Sequence, residues 1–97
     1  MKAVFRAWKG SGEPFAIFPE FSADPRGQHC ISVDRNGHAA ANYNSCILGS
    51  RPAKPEEVEK AWLFLATLGY YREDVQPVAR VHHRTHRERQ EALCRKS

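Results

Sequence analysis

Arg80, Arg84, Arg87, Arg89, Arg95 and Lys96 crowd into the last 18 residues, opposed only by Glu88 and Glu91. The whole chain has 15 Lys and Arg against 11 Asp and Glu, so residues 1–79 hold nine of each and are neutral. Clustered Arg and Lys gain affinity for polyanions by displacing counterions from phosphates, which makes this segment the candidate site for nucleic acid or an acidic partner. His82, His83 and His86 fall in the same stretch and add charge below about pH 6.5. The fingerprint of a DNA- or RNA-binding module does not accompany the charge. A polar C-terminal helix that only keeps a small protein dispersed would look the same.

Two other groupings have the residue types for chemistry. His82 and His86 are four apart and would share a helical face able to hold a divalent ion, while His29, Cys30, His38 and Cys46 bracket one stretch of strand character. Neither has the C-x-x-C or H-E-x-x-H spacing of a zinc site, so the expectation is no metal and no cofactor. Cys30 and His38 could form a thiol–imidazole pair across a hairpin. The chain has no nucleophile elbow, phosphate-cradling loop or paired carboxylates to go with it, and a non-enzymatic protein without catalytic residues is expected.

The aromatic residues, five Phe, two Trp and three Tyr, are numerous for one small body. A domain of five elements cannot bury all of them. Tyr70 and Tyr71, with Trp8 or Phe21, are the candidate protein-binding patch.

The elements that position these residues follow from pattern. Ala3 to Trp8 and Phe15 to Phe18 are apolar runs around a Gly-rich link, which predicts a β-hairpin with a loop longer than two residues, closed by Pro19. His29 to Val33 resumes strand character and meets Asn36-Gly37, a pair suited to a type I′ turn. That turn would set Val33 opposite Ala40 and Cys30 opposite Tyr43. Residues 55–68 predict the main helix: Pro55 suits the first turn, Glu56 and Glu57 complement the dipole, and Gly69 terminates it. Val58, Ala61, Trp62, Phe64, Leu65 and Leu68 then share one broad face. Val75 to Val81, interrupted by Pro77, predicts an edge strand, and Arg84 to Lys96 a solvated helix with almost no apolar stripe.

With 97 residues the chain has enough length for one core, so a 1–79 α+β domain with a basic 80–97 tail is expected. Its antiparallel sheet of four to five strands would pack against the main helix. No apolar run approaches the roughly 20 residues that span a bilayer, and Met1 to Trp8 lacks the apolar stretch of a secretory signal. Cys30, Cys46 and Cys94 form no disulfide framework. These features point to a cytoplasmic protein with reduced thiols and no membrane partner.

Phe15-Ala16-Ile17-Phe18-Pro19-Glu20, Ala23-Asp24, Gly27, Cys30, Gly37-His38-Ala39-Ala40, Tyr43, Arg51-Pro52-Ala53-Lys54-Pro55-Glu56-Glu57 and Leu68-Gly69-Tyr70 occur in that order. Together they resemble a group of small uncharacterised proteins encoded by bacteriophages and prophages, over roughly residues 4 to 71. Members often show Ser-Tyr and Gly-Gln-His-Gly where this chain has Ser32-Val33 and Asn36-Gly37-His38-Ala39. The resemblance implies a phage or prophage setting rather than a mechanism. Small phage accessory proteins frequently act by occupying a surface on a host complex, so the leading expectation is an accessory protein that binds a host protein or ribonucleoprotein complex and inhibits or redirects it, an anti-CRISPR or other counter-defence role being the sharpest form. The alternative expectation is a nucleic-acid-binding accessory or regulatory protein acting through the tail.

Overall fold

The computed structural model describes residues 1–26 and 28–79; Arg80, Arg84, Arg87, Arg89, Arg95 and Lys96, with His82 and His86, lie outside the described residues. The domain is α+β, with strands β1 (Lys2–Trp8), β2 (Pro14–Ser22), β3 (Cys30–Asp34), β4 (Gly37–Ala41), β5 (Ser50–Pro52) and β6 (Gln76–Val78) and helices α1 (Tyr43–Gly49) and α2 (Pro55–Thr67). The sheet runs β4-β3-β2-β1-β5, with β6 also on β1. β5 pairs with Arg6 to Trp8 and β6 with Lys2 to Val4, so the two short strands share one edge of β1 end to end. Six strands therefore make a sheet five strands wide. It is mixed, because β6 runs parallel to β1 while the other pairs are antiparallel.

Alternation along each strand splits the core into two layers. Ala3, Phe5, Ala16, Phe18 and Val33 face α2 and meet Ala61, Trp62 and Leu65. Val4, Phe15, Ile17, Cys30 and Ala41 face the other way and meet Tyr43 and Cys46 of α1. Both faces of β1 and β2 are covered, which is why these central strands read as continuous apolar runs.

α2 starts and stops where its sequence says. Pro55 opens it, the Glu57 carboxylate accepts the Lys54 N–H at 2.8 Å, and Gly69 leaves it at φ +89°, a conformation that favours glycine. Ala61, Trp62 and Leu65 are buried, with Val58 and Phe64 packed beside them, while Leu68 sits exposed at the C-cap instead of on the core face.

Three local expectations are corrected. Pro19 does not close β2: the strand continues to Ser22, and the register jumps from Phe18 opposite Ile31 to Ser22 opposite Cys30. This bulge accommodates a residue that cannot donate to the ladder. The second hairpin turns one residue early, so that Val33 faces His38 and Cys30 faces Ala41. A type I′ turn on Asn36-Gly37 would need positive φ at Asn36, yet only glycines take positive φ among the described residues, Gly37 at +101°. Instead Asp34 accepts the Asn36 N–H at 2.8 Å, which seats the turn on Arg35 and Asn36. Tyr43 is not a strand residue: Asn42 accepts the Ser45 N–H at 3.0 Å and caps α1, which Tyr43 begins. The predicted edge strand is Gln76–Val78, with Val75 drawn into the core.

Candidate protein-binding surface

The chain leaving α2 builds the most prominent aromatic surface. Gly69 turns it back, and Tyr70 lays its ring on Phe18 of β2, with centroids 5.3 Å apart and planes 17° from parallel. The hydroxyl of Tyr70 lies 2.8 Å from Nε2 of His38 on β4. Tyr70 is thereby fixed at both ends, by an apolar stack below and a polar bond at its tip. Around it Met1, Phe18, Phe21 and Ile31 line a small cavity of about 70 Å³.

Phe21 is the exposed aromatic of this cavity, at 42%, with Met1 exposed beside it, and Tyr71, next in the chain to Tyr70, is 64% exposed. The N-terminus is itself anchored, its ammonium donating to the Asp74 carbonyl at 2.9 Å and the Gln76 N–H donating to the Met1 carbonyl at 2.7 Å. Arg72, next in sequence, places its guanidinium 4.9 Å above the Trp62 ring and pairs with Glu59 at 2.7 Å. The segment that presents Tyr71 is thus tied to α2.

Of the four residues that the sequence suggests for one patch, the fold brings Phe21 and Tyr70 to a shared cavity and sets Tyr71 beside Tyr70 in the chain. Trp8 is elsewhere. Its ring stacks on Phe15, 4.5 Å between centroids, in the layer that faces α1, and Gly49 of α1 comes so close that an added Cβ would stand 3.3 Å from Trp8 Cζ3. Sequence reasoning could not separate these positions, because Trp8 and Phe21 are exposed at opposite ends of the first hairpin.

The sequence-suggested Cys30–His38 pair is divided by the sheet. Cys30 is buried on the α1 side, its Sγ 3.4 Å from the Ala41 carbonyl, while His38 pairs across from Val33 and bonds Tyr70 on the α2 side. Burial pushes the Cys46 thiol up from its ordinary range, which disfavours its thiolate. His29 holds Asp24 at 2.6 Å, and Asp24 also accepts the Gln28 N–H at 3.0 Å, an arrangement that shapes the loop before β3. Among the described residues no His, Cys, Asp or Glu group could hold a metal.

Sequence reasoning missed one contributor. By residue type His38 is a metal or base candidate, whereas its fold position makes it the polar tether of Tyr70. The signal was long-range and needed the β4 register. No helix among the described residues is long and apolar enough to cross a membrane. When the chain is compared with known proteins, no family model, curated protein or solved structure matches it.

Proposed function

We propose that this is a non-enzymatic phage or prophage accessory protein that binds a host protein or ribonucleoprotein complex and inhibits or redirects it, with counter-defence as the sharpest form. The observation that carries the binding part is the exposed Phe21 sharing a cavity with a Tyr70 ring locked by Phe18 and His38, with the exposed Tyr71 next to it in the chain. Rigid, partly exposed aromatics lose little side-chain entropy on binding and dominate protein interfaces. The sequence resemblance supports the phage setting, and the separation of Cys30 from His38 supports the non-enzymatic part of the reading.

The test is capture of nuclease-treated bacterial lysate on the full chain, on the Phe21→Ser/Tyr71→Ser variant and on residues 1–79. The partner is expected to be kept by the wild type and by 1–79 and lost by the double variant. A partner that survives the double variant contradicts the reading.

The charge segregation favours a second reading, a nucleic-acid contact through Arg84, Arg87 and Arg89. It predicts salt-steep binding of generic single- or double-stranded nucleic acid that disappears in 1–79. The two readings are compatible, since a ribonucleoprotein presents both protein and phosphate.

A further inference from the structure

The two edges of the sheet are built differently. One edge is closed by β5 and β6, strands of three residues each that contain Pro52 and Pro77. Short strands with proline are a common device against further pairing. The other edge is β4, five residues reading Gly-His-Ala-Ala-Ala, in unbroken register with β3 and carrying no proline, lysine, arginine or carboxylate. Among the described residues nothing pairs with its outer side. Alternate residues of an edge strand turn their N–H and C=O outward, so β4 offers a row of backbone donors and acceptors.

A cavity flanks this edge on each face. On the α1 face, about 370 Å³ is bordered by Trp8, Phe15, Ala39 and Ala41 together with the polar Asp34 and Asn42. On the α2 face, about 410 Å³ is bordered by Ser22, Ile31, His38 and Ala40, beyond the bulge within β2. The small side chains of Ala39 and Ala40 leave both spaces open.

We propose that β4 receives an extended segment of the partner protein as an added strand, and that this segment carries bulky apolar side chains at consecutive positions. Backbone pairing along β4 supplies the common register, and successive side chains of a strand point to opposite faces, so neighbours enter one cavity each. An amphipathic strand, apolar at every second position, would fill only one. A second copy of β4 would bring only His38 and alanines and would leave both cavities largely empty, forfeiting contacts on either side of the joint. The proposal rests on the protein-binding reading and names the chemistry of the segment bound.

The test uses the full chain and three fluorescent synthetic peptides with Lys-Ser flanks: one with a core of consecutive Ile, Val and Phe, one with the same core N-methylated at alternate amides, and one with Ser at every second core position. The first peptide is expected to bind, and the other two to bind at least about tenfold more weakly, the change that loss of one or two net hydrogen bonds or one buried side chain brings. Ala39→Lys and Ala40→Lys, both at exposed positions, are expected to remove binding with an unchanged circular dichroism spectrum. Equal binding of the N-methylated peptide, or no binding of the first, overturns the proposal. So does a dimer that Ala39→Lys makes monomeric, which would put a second copy on β4. Exchange-protected outward amides of β4 in the peptide-free monomer would put the chain's own residues there and overturn it likewise. Failure of all peptides alongside partner capture that depends on Phe21 and Tyr71 would remove the edge and leave the binding reading standing.

Discussion

Tyr70 Oη and His38 Nε2 stand 2.8 Å apart and join the turn after α2 to the outermost strand of the sheet. The bond links residues 32 apart in sequence and holds a ring that also stacks on Phe18. Tyr70→Phe keeps the stack and loses the bond; because the bond is exposed, we expect a cost below about 1 kcal/mol in urea unfolding. Tyr70→Ala also removes the ring and is expected to cost clearly more. Equal costs for the two variants would show that the stack contributes nothing.

The face of α2 gives a second contrast. Leu65 is fully buried between the sheet and the helix, whereas Leu63 is 67% exposed. Leu65→Ala is expected to destabilise by about 2–5 kcal/mol, and Leu63→Ala to stay within roughly 0.5 kcal/mol. Chemical denaturation of both variants checks the assignment.

α2 announced itself through Pro55, the two glutamates, Gly69 and an apolar face at helical period, all of them local signals. α1 did not, because seven residues carry barely two turns and the only signal was the Asn42 cap. β5 pairs with β1 beside Arg6, whose guanidinium donates to Ser50 Oγ at 2.9 Å, to the Ser50 carbonyl at 2.8 Å and to the Ile47 carbonyl at 3.1 Å. These contacts span more than forty positions of sequence, and no local pattern encodes them. The aromatic surface was half legible: residue type flagged Phe21, Tyr70 and Tyr71, but only the fold removes Trp8 to the other layer and adds His38.

Arg6 makes a prediction of its own. Its three bonds tie the C-terminal end of α1 and the start of β5 to the centre of β1. Arg6→Ala leaves those acceptors short of a charged donor and is expected to cost roughly 1–3 kcal/mol. Amide exchange should rise across residues 43–52 before it rises in α2. Uniform loss of protection would mean that the two layers do not open separately.

The Arg51–Glu57 pair sets an acid limit. Arg51 donates twice to Glu57, at 2.6 and 2.8 Å, and the Lys54 N–H adds a third bond. The Arg51 hydrogen bonds, then the Lys54 backbone bond, hold the Glu57 carboxyl down at about 2 against an ordinary 4.5. A carboxyl whose folded pKa is depressed stabilises the fold fully above its unfolded pKa, and the contribution fades as pH falls from 4.5 through about 2. Glu57→Gln should therefore melt below the wild type at neutral pH, and the gap should close over that acid window. A gap that persists at the acid end would trace to packing and not to charge.

The aromatic surface is the centre of the account, and a photocrosslinking amino acid placed at Tyr71 in the full chain, expressed in bacterial cells, tests it most directly. The same group at Leu63, exposed on the outer side of α2, serves as the control. The account predicts one discrete protein adduct from position 71 and none from position 63. No adduct from position 71, or the same adducts from both positions, would contradict it.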